Sequence, residues 1–147
     1  MEPYRRRRRE RASAPNILTQ LGIALAGLWR LLFGKKQAPI DRVRIVAKFG
    51  EIEALLAHGD GATASQAVLQ ADSLLDEVMR AVGGRGETFA DRFRSLEGRF
   101  DRALYQQIWE EHKLRNTIAH EHPNITAAQG RQAVQVFRRA ASRLGAL

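Results

Sequence analysis

Residues 101–123, DRALYQQIWEEHKLRNTIAHEHP, predict the element on which the fold of this chain is built. A helix is expected over residues 101–120, because apolar side chains recur there three or four positions apart along one face. That face is formed by Leu104, Ile108 and Ile118, with Tyr105 and Trp109 beside it. Pro123 predicts the end of the helix, since proline lacks an amide hydrogen and clashes with the preceding turn.

The same apolar spacing predicts further helices on both sides of this one. They are expected over residues 40–57, 63–82, 89–96 and 127–144. Thr126 with Gln129 matches the capping box, in which two side chains satisfy free amides at a helix start, and Thr63 with Gln66 predicts a second one. The apolar positions of the first helix are Val43, Val46, Ala47, Phe49, Ile52, Leu55 and Leu56. Four long helices joined by short loops predict an all-α fold, an up-and-down four-helix bundle over residues 40–147.

The chain before the bundle divides by composition into three parts. Residues 1–15 are rich in charge and are expected to form a disordered basic arm. Residues 16–34 are mostly apolar, carry a single charge at Arg30 and predict a hydrophobic, membrane-associated helix. Residues 35–39 are expected to link this helix to the bundle.

The apolar run at residues 16–34 has three interpretations that the sequence leaves open. A narrow polar stripe fits a helix lying in the membrane interface, with Arg30 reaching the headgroups. The side in the membrane is then formed by Ile17, Leu21, Leu25, Leu28, Trp29 and Leu32. A single transmembrane pass is the close alternative, since the run is near the lower limit of about 17–25 residues that span a bilayer. An ordinary core helix of the bundle is the third interpretation.

Basic residues flank the apolar run on both sides, with Lys35 and Lys36 following it. Such flanks suit a segment whose two ends both face an anionic cytoplasmic leaflet. The arginines expected at an anionic membrane surface are Arg5, Arg6, Arg7, Arg8 and Arg9. They supply most of the formal net charge of +8, so the bundle itself is only mildly basic. The sequence therefore predicts membrane association, with the bundle facing the cytoplasm.

The composition excludes several kinds of chemistry. The chain contains no cysteine, which rules out disulfides, thiolate catalysis and thiolate zinc sites. Its four histidines do not show the spacing of a zinc site such as HExxH. No metal and no cofactor are predicted. The positive charge instead favours polyanionic partners, either nucleic acid or an anionic lipid surface.

Polar side chains gather near the end of the helix over residues 101–120. They are Arg115, Asn116 and His120. Arg115 shares a helical face with Ile108 and Ile118, so its guanidinium must be paired or reach a cleft. Glu111, one turn earlier, is one candidate partner. Asp72 is the other, because it lies at the edge of the apolar face of the second helix.

The segment Arg115-Asn-x-x-Ala-His120 resembles the signature of the HEPN superfamily. Members of this superfamily are α-helical bundles with an arginine, usually followed by a polar residue, and with four to six residues before a histidine. The resemblance covers residues 40–147 in architecture but only this segment in specific residues. It implies metal-independent RNA cleavage by a homodimer, with two copies of the motif meeting across the interface. In that picture Arg115 holds the scissile phosphate, His120 transfers a proton at the 2′-hydroxyl or the leaving oxygen, and Asn116 orients the site.

The same residues also fit other functions. Arg115 is equally suited to a structural clamp with Asp72 or Glu111, and His120 to the negative end of the helix dipole. The matching function is a non-catalytic HEPN-like dimerisation or scaffold module at the membrane, which binds an unidentified partner protein. A third interpretation is a nucleic-acid binder driven by the arginine arm. His112 and His122 are expected to lie outside the site. Tyr105 and Trp109 are expected to pack in the core or at a dimer interface.

Overall fold

The computed structural model describes residues 39–57 and 59–147. Within these ranges every regular element is helical, which confirms the predicted all-α class. The helices are α1 (Arg42–Leu56), α2 (Gly61–Ala81), α3 (Phe89–Ser95), α4 (Arg102–Glu121) and α5 (Ala127–Arg143), with a 3₁₀ turn at Glu97–Arg99. No helix in these ranges has the length and apolar character needed to cross a bilayer. The predicted basic arm and hydrophobic helix lie outside the described residues.

The helix starts are set by side-chain caps, which accept hydrogen bonds from amides left unpaired in the first turn. Thr126 and Gln129 form the predicted capping box at the start of α5. The prediction that Thr63 caps α2 was wrong. Asp60 is the cap, and its Oδ1 accepts a hydrogen bond from the Thr63 amide at 2.8 Å. Because an aspartate is available three positions earlier, α2 begins at Gly61 instead of at Thr63.

α1 buries only part of the apolar set that its sequence offers. Its buried residues are Ile45, Phe49, Ile52 and Leu56. Val43 and Val46, which the pattern included, are 82% and 47% exposed. Apolar residues lie on more than one face of α1, so contact with α2 and α5 decides which face is buried in the core.

α2 is the central helix of the bundle, since it contacts α1, α3, α4 and α5. Its most extensive contact is with α5. A Cβ atom added at Gly130 of α5 would lie 2.9 Å from the Cβ of Ala64 on α2, closer than side chains pack. The missing side chain at Gly130 therefore allows the two helix backbones to approach each other.

α3 is held to α2 by a buried ion pair between Arg92 and Asp76. Nε and Nη2 of Arg92 donate to the two carboxylate oxygens of Asp76 at 2.7 and 2.9 Å. Its Nη1 donates to the carbonyl of Gly86 at 2.9 Å, and Arg80 also pairs with Asp76. A bidentate contact of this kind fixes orientation as well as distance. It therefore fixes α3, including Phe89, against the side of α2.

The close contact at Gly130 predicts opposite effects for two glycine-to-alanine changes. Gly130→Ala should lower the free energy of unfolding by about 1–2 kcal/mol, because overpacking outweighs the gain in helix propensity. Gly50→Ala, in the interior of α1, is the matched control, since a Cβ there meets nothing within 4 Å. It should raise the free energy of unfolding by about 0.5–1 kcal/mol. Urea denaturation measures the free energy of unfolding of both variants. Equal stabilisation by the two changes would contradict the close approach of α2 and α5 described above.

Candidate functional site

Residues of α2, α3 and α4 line a groove of about 680 Å³, which we call the polar groove. Its lining includes Asp72, Asp76, Arg80, Phe89, His112 and Arg115. The carboxylates come from α2, the phenyl ring from α3, and the imidazole and one guanidinium from α4. The groove therefore depends on the packing of three helices that are separate in the sequence.

Asp72 is the buried centre of the polar groove, with only 4% of its surface exposed. Its Oδ1 lies 2.7 Å from Nδ1 of His112, and its Oδ2 lies 3.3 Å from Nε of Arg115. A buried carboxylate is costly unless it is paired. These two contacts pair Asp72 and join α4 to α2. Of the two partners that the sequence offered to Arg115, Asp72 is the one at ion-pair distance.

His112 is held on more than one side. Its ring stacks on Phe89, with the ring centroids 3.9 Å apart and the planes 6° apart, and Trp109 meets it edge-on. An ionised carboxylate can only accept, so the bond to Asp72 places a hydrogen on Nδ1 and makes Nε2 the acceptor of the neutral ring. Within the described residues Nε2 has no hydrogen-bond partner, and it is not fully buried. This nitrogen is therefore open to solvent or to a ligand.

The sequence-based expectation placed His112 outside the site, whereas the structure places it in the polar groove. The sequence does contain one signal for this position. His112 precedes Arg115 by three positions, and residues three positions apart on a helix share a face. Its partner Asp72 lies 40 positions earlier on another helix. That pairing depends on the tertiary contact between α2 and α4.

Arg115 combines buried and accessible donors. Nη1 donates to Oδ1 of Asn116 at 3.1 Å, and the role of Asn116 in orienting the site stays a prediction. Nε is buried and lies near Asp72, but at an angle that makes no hydrogen bond, so this contact is electrostatic. The side chain is 31% exposed, and Nη2 has no partner among the described residues. Arg115 also lines a second groove, of about 720 Å³, between the start of α2 and the end of α4.

His120 is exposed in the last turn of α4, and no contact joins it to Arg115 within the described residues. Five positions along a helix correspond to a rotation of about 140° beyond one full turn. Arg115 and His120 therefore point to different sides of α4 in one chain. The acid–base role of His120 stays a prediction, and in a single chain His112 is the imidazole beside Arg115.

Glu111 was the other predicted partner of Arg115, but its side chain contacts α5 instead. No ion pair joins it to Arg115 in the described part of the chain. Burial raises the pKa of the Glu111 carboxyl, and the negative charge of Glu110 raises it further. A side-chain hydrogen bond with Gln132 of α5 acts in the opposite direction and lowers this pKa. Glu111 thus belongs to the contact between α4 and α5.

Comparison with known proteins finds no matching family model, no matching curated protein and no matching solved structure. Among the described residues, no group of three or more histidines and carboxylates is arranged to hold a metal ion. The functional interpretation therefore depends on the geometry of the polar groove and on the motif in α4.

The raised pKa of Glu111 predicts a pH-dependent contribution to stability. A carboxyl with a raised pKa in the folded chain favours folding when protonated, and this contribution is lost as pH rises through the folded pKa. Glu111→Gln should therefore be more stable, relative to wild type, at about pH 7 than at about pH 4. Urea denaturation at both pH values measures the difference.

Glu110→Gln provides the second variant, because it removes the neighbouring charge that contributes to the shift. It should reduce the same pH dependence without removing it. If the stability of Glu111→Gln relative to wild type is the same at both pH values, Glu111 is solvated in the folded chain and the prediction is wrong.

Proposed function

We propose that this chain is a HEPN-like protein that cleaves RNA without a metal ion. The proposal includes a homodimer, an up-and-down arrangement of α1, α2, α4 and α5, and a membrane-associated N-terminal segment that keeps the bundle at the cytoplasmic face. One observation carries the proposed activity. The Arg115 guanidinium contacts Asp72 and Asn116 on the edge of the polar groove, with Nη2 available to a ligand.

The charges around the polar groove support a phosphate ligand. Three carboxylates of α2 border it, and every one of them is paired with a guanidinium. The carboxylates are Asp72, Asp76 and Glu77, and the guanidinium groups belong to Arg44, Arg80, Arg92 and Arg115. Arg80 and Arg115 line the groove itself, whereas Arg44 and Arg92 pair with Glu77 and Asp76 from outside its lining, so no carboxylate of the lining is left unpaired. A phosphodiester can therefore approach Arg115, whose planar donors suit phosphate oxygens.

The dimer in this proposal provides a role for His120. Because His120 is exposed in the last turn of α4, it is accessible to a second copy of the chain. In the HEPN arrangement the two motifs meet, so the partner subunit's His120 would reach a phosphate held by Arg115. The proposed dimer thus supplies a contact that the geometry of one chain does not contain.

The test of this function is RNA cleavage by the full-length protein in the presence of EDTA. Arg115→Ala should reduce the cleavage rate by about 10²- to 10³-fold, the usual effect of removing one donor to a developing negative charge. Arg99→Ala is the matched control, because Arg99 is an exposed arginine of the 3₁₀ turn away from the polar groove. It should cleave at the wild-type rate. Equal rates for all three proteins would contradict the role of Arg115.

A second candidate function is the non-catalytic dimerisation or scaffold module. The observation that favours it is the pairing of Arg115 with Asp72, which already compensates part of the guanidinium charge. In that case wild type is inert toward RNA, and Arg115→Ala lowers the melting temperature because it leaves the carboxylate of Asp72 with fewer partners. The same assay and a melting curve therefore separate the two functions.

The membrane part of the proposal is tested by flotation with vesicles that contain anionic lipid. Full-length protein should float with the vesicles, and Leu25→Asp should reduce the floating fraction, because a charge in the apolar run is costly in the membrane. Val43→Asp is the control, since it introduces the same charge at a residue of α1 that is already 82% exposed. Equal flotation of Leu25→Asp and wild type would remove the predicted membrane segment.

A further inference from the structure

We propose that His112 is a catalytic residue of this site and that its Nε2 removes the proton from the 2′-hydroxyl of RNA bound at Arg115. This inference rests on the proposed ribonuclease function. It assigns the proton transfer to a histidine outside the HEPN-like motif, within the same chain as the phosphate-binding arginine.

The position of His112 on α4 is the first observation that supports this role. His112 and Arg115 are three residues apart on one helical face, and both contact the same carboxylate, Asp72. Both side chains also line the polar groove. His120, in contrast, lies on another side of α4 and is not part of the lining of that groove. A phosphodiester held by Arg115 in the polar groove therefore has His112 as its neighbouring imidazole.

The orientation of His112 is the second support. A base needs a third group that fixes its tautomer and direction, and Asp72 does this through the 2.7 Å contact with Nδ1. Phe89 covers one face of the ring, and Phe89 itself is held in place because Arg92 ties α3 to Asp76. The one ring nitrogen without a partner in the described residues is Nε2. The structure thus presents the acceptor nitrogen of an oriented imidazole.

The proposed step is a transesterification within the RNA. Nε2 of His112 takes the proton of the 2′-hydroxyl, O2′ forms a bond to phosphorus, and the bond from phosphorus to O5′ breaks. O5′ leaves with the bonding electron pair and takes a proton from a water molecule. The proton on His112 then passes to the resulting hydroxide, so no oxidant, reductant or metal ion is required. The products are a 2′,3′-cyclic phosphate end and a 5′-hydroxyl end.

The test uses full-length protein and a short single-stranded RNA in EDTA. His112→Asn keeps a nitrogen donor near the position of Nδ1, so it retains the hydrogen bond to Asp72 while it removes Nε2. It should bind RNA as wild type does and lose about 10²- to 10⁴-fold in cleavage rate, the usual contribution of a general base. His122→Asn is the matched control outside the polar groove. His122 has a φ of 49°, a conformation that asparagine tolerates, so the control should fold and cleave normally.

A second measurement distinguishes catalysis from packing. His112→Ala should regain part of its cleavage rate when free imidazole is added, whereas Arg115→Ala should not, because imidazole replaces a proton acceptor but not a phosphate ligand. Melting curves establish that the variants are folded. Wild-type cleavage by folded His112→Asn overturns the role of His112 and leaves the proposed ribonuclease intact. An inert wild type overturns both proposals, and loss of activity without imidazole rescue assigns His112 to packing.

Discussion

Two buried carboxylates, one helical turn apart on α2, constrain the arrangement of this bundle. Asp72 and Asp76 are 4% and 9% exposed, on a helix whose other buried side chains are apolar. Removing the partner of such a buried charge typically costs about 3–5 kcal/mol. Asp76 is satisfied by Arg92 of α3, and Asp72 by side chains of α4. Alternative packings of α3 or α4 would leave a carboxylate unpaired, so the two ion pairs specify where these helices lie.

α2 separates two kinds of packing on its two sides. Toward α5 it presents small side chains such as Ala64, against which Gly130 allows close backbone approach. Toward α3 and α4 it presents carboxylates that need charged partners. Dense apolar packing on the first side provides much of the free energy of folding, because burial of apolar surface is the dominant favourable term. Apolar packing therefore stabilises the first side, and the charged contacts on the second side fix the positions of α3 and α4.

The pairing that satisfies Asp72 also prepares the chemistry proposed for the groove. A carboxylate that must be paired draws His112 and Arg115 of α4 to one point. Each of them uses one nitrogen toward Asp72 and keeps another accessible, Nε2 in the imidazole and Nη2 in the guanidinium. Stability and orientation thus arise from the same contacts. This is why a structural and a catalytic interpretation of Arg115 share the same geometry and differ only in what the accessible nitrogens do.

The sequence by itself determined the elements that depend on neighbours along the chain. The helical class, the capping box of Thr126 with Gln129 and the end of α4 before Pro123 all follow from contacts within about four residues, which periodicity reports. The choice between two neighbouring cap residues was predicted wrongly, since Asp60 and not Thr63 caps α2. The tertiary structure alone decided which face of α1 is buried and which carboxylate pairs with His112. Both depend on the packing of distant helices, and periodicity does not report a contact between Asp72 and His112, which are 40 positions apart.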